Sequence, residues 1–164
     1  MKKLLAVMLL STAVATPALA ENSPFYAGVL AGDQYLGVLG GYQIDKMYSV
    51  EVSYASVLTP TVNFGGTSIK TDNSNLAAEL VVVLPWKVQK VPELSFFGKG
   101  GMEYVSTKVT TTLGASSYSV STNEVKLKLG GGAQYDVSKN FSGRAGVGLL
   151  GSHKDLYISG IFRF

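Results

Sequence analysis

Apolar and polar residues alternate one by one along most of the chain, and the three-to-four spacing of a helix is nowhere sustained. That period predicts eight β-strands, over residues 25–31, 35–44, 48–57, 75–84, 94–105, 123–137, 141–151 and 155–164. The segment EVKLKLGGGAQY, residues 124–135, poses the central question. Its odd positions Val125, Leu127 and Leu129 are apolar, and its even positions Glu124, Lys126 and Lys128 are charged. If the leucines face a core, this is a half-buried strand of a soluble protein. If the lysines face inward, the solvent of the chain is lipid.

The connections alternate in length. Residues 45–47, 138–140 and the longer 85–93 fall on one side; 32–34, 58–74, 106–122 and 152–154 fall on the other. Short turns at one rim with some long loops at the other suit strands that cross a membrane. At about 3.3 Å per residue and a tilt near 45°, ten residues cover roughly 23 Å of membrane normal. The two long loops are rich in Thr, Ser, Asn and Gly but keep some alternation. Gly65-Gly66 and Leu113-Gly114-Ala115 are turn candidates, so both loops are expected to continue as hairpins above the membrane, with disordered loops as the alternative.

Sorting the strands by face gathers Glu51, Glu79, Lys99, Glu103, Lys126, Lys128, Arg144 and Arg163 on the polar side. Val50, Val52, Tyr54, Leu80, Val147, Leu156 and Ile158 oppose them, while Val81 and Val83 blur the fourth strand. A soluble sandwich would alternate in the same way, so three other features decide. Aromatic residues of the apolar face collect at strand ends: Tyr42, Tyr48, Phe96, Tyr135, Phe141, Phe162 and Phe164 near the short turns, Tyr54 and Tyr104 near the long loops. That is where amphipathic rings meet a membrane interface. Glycines inside strands, as at 130–132, Gly146 and Gly148, leave room for long inward side chains in a narrow closed barrel. Finally, the chain stops on Phe164 with an apolar residue or Gly160 at every second position before it. The fold class predicted is all-β, an eight-stranded antiparallel up-and-down transmembrane barrel; a soluble calycin-like barrel is the alternative.

Composition sharpens this picture at the N-terminus. Lys2 and Lys3, the apolar run LLAVMLL and Ala18-Leu19-Ala20 form a secretory signal peptide over residues 1–20, expected to be cleaved and too short to span a bilayer. Residues 21–164 form one domain. Lys2 and Lys3 leave with the peptide, so of 14 Lys+Arg 12 remain against 11 Asp+Glu, and the basic pI implies no nucleic-acid partner. No cysteine occurs, which excludes disulfides and thiol chemistry.

SPFYAGVLAG at the start of the first strand, GGGAQYDVSKNFSGRAGVGLLG and the ending LYISGIFRF resemble the OmpA-type, opacity-like family of small outer-membrane barrels. The resemblance covers essentially all of residues 21–164 and implies an outer-membrane location, a single copy, and contact with outer-membrane lipid and lipopolysaccharide. The terminal Phe162 and Phe164 resemble the signal read by the outer-membrane assembly machinery; Gly160 departs from it, standing where a larger apolar residue is usual. With no peptidoglycan-binding domain after the barrel, that role is not expected.

The inner charges are the one constellation with chemical content. They are expected to pair as a polar core filling the lumen, since an unpaired buried charge is costly; an ion path or salt-bridge gate is the alternative. Some small outer-membrane barrels modify lipid A with a His and a Ser. Here His153, the only histidine, sits beside Ser152 in the last loop, and sequence neighbours on a strand end point to opposite faces. No catalytic, cofactor or metal site is therefore predicted. The expected function is that of a surface protein binding a host, matrix or envelope ligand through loops 58–74 and 106–122, and a structural envelope barrel is the alternative. The expected contacts are Val62, Phe64, Ile69, Leu113, Tyr118 and Val120, apolar groups on otherwise polar loops.

Overall fold

A computed structural model describes residues 23–33, 35–57, 61–65, 67–86, 91–113, 116–152 and 156–164. The signal peptide at 1–20, the turn residues Gly66, Gly114 and Ala115, and His153 lie outside the described residues. Among the described residues the strands are β1 (Phe25–Gly32), β2 (Tyr35–Gln43), β3 (Tyr48–Val57), β4 (Val62–Phe64), β5 (Thr67–Val83), β6 (Leu94–Leu113), β7 (Ser116–Asp136), β8 (Phe141–Leu150) and β9 (Leu156–Arg163).

Every neighbouring pair is antiparallel. The sheet runs β3-β2-β1-β9-β8-β7-β6-β5-β4, and β3 also pairs with β5. That last pairing closes a ring of eight strands and leaves the three-residue β4 attached outside it. Closure removes the open edges that a membrane cannot solvate. The alternation seen in sequence appears directly in β3, where Ser49, Glu51, Ser53 and Ala55 are buried between exposed Tyr48, Val50, Val52 and Tyr54.

Three strands are longer than the alternation alone predicts. β5 begins at Thr67 and not at 75, β6 runs on to Leu113 and not 105, and β7 begins at Ser116 and not 123. The extra lengths pair with one another, from Thr67↔Leu113 to Ser74↔Ser106 and from Leu113↔Ser116 to Ser106↔Asn123. With β4 they form a four-stranded blade standing above the ring, so the hairpin reading of both long loops holds over the described residues. The β4–β5 turn has Gly65 at φ 56°, a left-handed conformation that glycine adopts without strain.

The short turns are tied by their own polar side chains. Asp45 Oδ1 accepts the N–H groups of Met47 at 2.7 Å and Tyr48 at 2.8 Å. Ser138 Oγ accepts the N–H of Phe141 at 3.0 Å, and Asn140 Nδ2 donates to the Arg163 carbonyl at 2.9 Å. Outside the wall at this rim, Phe25 meets Tyr42 and Phe162 meets Phe164, both edge to face.

Candidate functional site

Glu51 and Glu79 stand opposite each other in the β3–β5 register and both point into the lumen. Two adjacent buried carboxylates need cations, one of which arrives from across the ring and two from the neighbouring strands. Arg144 on β8 reaches Glu51 at 2.7 Å; Lys99 on β6 and Lys128 on β7 reach Glu79 at 3.2 and 3.3 Å. The Tyr26 hydroxyl lies 3.2 Å from the same Glu51 oxygen, and Arg144 Nε donates to Gln134 Oε1 at 2.8 Å. Aromatic faces complete the shell: the Arg144 guanidinium lies 5.1 Å from the Phe97 ring, and the Lys99 ammonium 4.7 Å from Tyr157. Between these groups lies a cavity of about 30 Å3, room for roughly two waters.

Glycine makes the packing of those aromatics feasible. Gly146 is the cross-strand partner of Tyr157, and a Cβ there would fall 2.7 Å from the tyrosine ring. Gly41 stands in the same relation to Tyr26. Strand glycines in the sequence mark room for long inward side chains in general, not which rings fill it. Tyr26, Phe97 and Gln134 are buried on that same inner face, beyond the residues that charge alone marks. Parity carries the signal for Gln134, which follows Lys126 and Lys128, and for Phe97, which shares a face with Lys99 and Glu103 and leaves Phe96 outside, but FYAGVLAG has no polar position that separates Tyr26 from Phe25.

The remaining inner-register charges are placed differently. Arg163 lies at the short-turn rim, 3.5 Å from Asp136 and donating to Ser142 Oγ at 2.5 Å. Lys126 turns upward at the opposite mouth, where its 42% exposed side chain pairs with Glu124 at 3.0 Å. Its flexible stem lets the ammonium reach water. The enclosed set is thus Glu51, Glu79 and Glu103 against Lys99, Lys128 and Arg144, three of each sign. Among the described residues no group of three or more His, Asp or Glu is placed to hold a metal.

Above the ring, the six apolar loop residues share one face of the blade. Val62 pairs with Ile69 and Phe64 with Thr67; Ile69 leads to Thr111 and then Tyr118, and Thr67 leads to Leu113. Val109 and Val120 face each other beside them. Directly opposed residues of an antiparallel sheet project to the same side, so these residues form a single surface, continuous with the lumenal face below. They are exposed, Phe64 to 85% and Tyr118 to 73%. The reverse face carries Asn63, Ser68, Lys70, Asp72, Lys108, Thr110, Thr112, Ser117, Ser119 and Ser121, all polar, with Lys70 and Asp72 2.7 Å apart.

Comparison with known proteins gives a consistent assignment of fold. A family model described as "OmpA-like transmembrane domain" matches residues 22–148. Three solved barrels are similar. The N-terminal β-barrel domain of Pseudomonas aeruginosa OprF is 14% identical, with 84% of this chain and 90% of that one covered and a TM-score of 0.54. Ail, the attachment invasion locus protein of Yersinia pestis, solved with the heparin analogue sucrose octasulfate, is 15% identical over 85% and 94%, TM-score 0.54. Neisserial surface protein A is 17% identical over 87% and 98%, TM-score 0.53. No curated protein matches the sequence.

Proposed function

The chain belongs to the OmpA-like transmembrane domain family, and from that premise we propose that this outer-membrane barrel is a surface-binding protein whose external blade engages a host, matrix or envelope ligand. The observation that carries the reading is the segregation of the blade. Seven apolar residues lie exposed on one side and polar residues alone on the other. An apolar face held open in water costs free energy that a sheet needing only solubility would avoid, and such a patch is the usual mark of an interaction surface. Packed aromatics and balanced ion pairs in the lumen favour this role over conduction, and the reading includes no catalytic step.

Residues 1–20 are removed on export in this reading, and Phe162 and Phe164, beside each other near the short-turn rim, serve assembly. Lipid and lipopolysaccharide solvate the outer wall of a single barrel. The test is a triple variant, F64S/L113S/Y118S, displayed on cells that otherwise lack an adhesin. Because these side chains are exposed, unfolding stability should move by no more than about 0.5 kcal/mol, while adhesion to host cells or matrix falls to background. Undiminished adhesion, or none even with the native chain, would leave the protein as a structural component of the envelope.

A further inference from the structure

The blade is an open sheet, and its two edges are unlike. On one side it ends in the three-residue β4, and in the sequence Pro60 stands two positions before that strand. Short strands and prolines are among the means by which native sheets blunt an edge against further pairing. On the other side the blade ends in β7. The β7–β8 pairing reaches only as far up as Leu129, so residues 116–128 have no strand on that side among the described residues. Nothing blunts the upper part of this edge. Residues 116–123, SSYSVSTN, contain no charge, no proline and no glycine, and their pairing with β6 runs without a bulge. All of them are exposed.

Hydrogen bonds near the short turns fix which backbone groups point outward. The Asp136 N–H donates to the Glu93 carbonyl on the β6 side, and the Val137 N–H donates to the Phe141 carbonyl on the β8 side. Successive residues of a strand direct their backbone groups to opposite neighbours. With no break in the β6–β7 register, the even residues of β7 therefore bond to β6 and the odd ones face away from it. In the blade the N–H and C=O groups of Ser117, Ser119, Ser121 and Asn123 thus stand free along the edge, repeating about every 6.6 Å. We infer that this edge takes up an extended, uncharged polypeptide segment of another protein as a further antiparallel strand. An array of donors and acceptors at that repeat is matched by a second peptide backbone. On this side Tyr118 and Val120 occupy non-hydrogen-bonded positions, where opposed Cα atoms approach to about 4.5 Å. Apolar side chains at alternate positions of the partner pack against them, and its polar ones lie beside Ser117, Ser119 and Ser121. Pairing ends at Asn123, because Val125 begins the wall that faces lipid. Copies of this barrel in one membrane would be related by a two-fold along the membrane normal, which sets their apolar faces on opposite sides of such a seam; the occupant is therefore a different chain. The inference goes beyond the reading of the apolar face, since the groups that bind are backbone atoms at the edge of the sheet.

The probe is a capped peptide of alternating threonine and valine, about seven residues long to match the edge. It is N-methylated at each valine, so that only the threonine edge can pair and the peptide cannot build larger sheets with itself. A control peptide is N-methylated at every residue. Each is titrated into the full barrel, refolded without its signal peptide in phosphatidylcholine nanodiscs, while amide hydrogen exchange is followed by NMR. At saturation with the probe, exchange at Ser117, Ser119 and Ser121 should slow by at least about tenfold, and exchange at Tyr118, Val120 and Thr122, already bonded to β6, should change little. S119P removes one edge-facing N–H and no hydrogen bond to β6, a position where a sheet tolerates proline, and should weaken the probe at least about tenfold. V120K sets a charge beside the seam and should weaken it as well. That variant should bind a probe with glutamate in place of one valine more tightly than the native barrel does, a gain that damage to the fold would not produce. Binding of the control, equal protection of odd and even residues, no binding of the probe, or an unchanged affinity in S119P would each overturn the inference. Protection of the same amides on raising the concentration of the barrel alone would also overturn it, since the occupant would then be a second copy.

Discussion

The lower and upper halves of β5, β6 and β7 are built on one continuous register with opposite polarity. In the ring, the inner face carries Glu79, Lys99, Glu103 and Lys128, and the outer face carries Leu76, Leu80, Met102, Tyr104, Val125 and Leu127. In the blade, the inner face carries Ile69, Val109, Leu113, Tyr118 and Val120, and the outer face Ser, Thr, Lys and Asp. The change occurs between two adjacent rows of the outer face, Tyr54–Leu76–Tyr104–Val125 and Ser74–Ser106–Asn123. Neither pleat nor pairing changes there, so the solvent does. Lipid ends at the tyrosine row, where amphipathic rings are favoured. Above it the outer face meets water.

The comparison predicts where substitutions hurt. The largest effect belongs to the enclosed ion pairs, because lumenal charge is costly only when a partner is removed. R144M strands Glu51 beside Glu79 and should cost about 3–5 kcal/mol in urea unfolding of the refolded barrel, whereas R144M/E51Q should recover most of that loss. A double variant as unstable as the single one would show that Arg144 acts by packing against Phe97 and Tyr26, and that the charges matter little.

A smaller effect separates the two halves on a single face. Leu80 sits on the outer row Val50–Leu80–Gly100–Leu129, between the two aromatic girdles. L80R places a cation in lipid and should cost about 2–4 kcal/mol. S119R places the same cation on the same face of the blade and should stay within about 0.5 kcal/mol. Equal costs at the two sites would mean that both lie in one environment, and the proposed boundary would be wrong.

Much of this was legible in the pattern, and the missing part has a physical cause. Alternation located all eight ring strands, because a wall with lipid on one side and packed polar groups on the other enforces period two. It also carried the inversion. In β7 the apolar positions are even at Tyr118 and Val120 and odd from Val125 onward. That phase shift is compatible with a hairpin that continues above the wall, but sequence alone does not show that the backbone pairs without a break across it. The Glu79 partners were legible, because Lys99 and Lys128 stand on the next two strands, but the Glu51 partner was not. Arg144 meets Glu51 from four strands away around the ring, a contact set by closure and not by neighbouring register. For Lys126 the register points inward, but the residue stands at the mouth, where its stem can escape to water.

The finest test of the comparison perturbs energy least. The sequence has no cysteine, so each thiol introduced along β7 is the only one present. On the outer face, Ser117, Ser119, Ser121 and Asn123 belong to the blade, and Val125, Leu127 and Leu129 belong to the wall. Single cysteines at the first four should react quickly with a membrane-impermeant maleimide on intact cells, and those at the last three slowly, with the step between 123 and 125. A gradual decline would point to a frayed blade and not to an ordered sheet crossing a sharp interface. The inner positions 118 and 120 supply a second contrast. They should label as fast as their outer neighbours in the free protein, and only they should be protected when a ligand covers the apolar face. Equal protection of both faces would show that a partner grips the edge of β7, where residues 116–128 have no strand paired on their second side among the described residues.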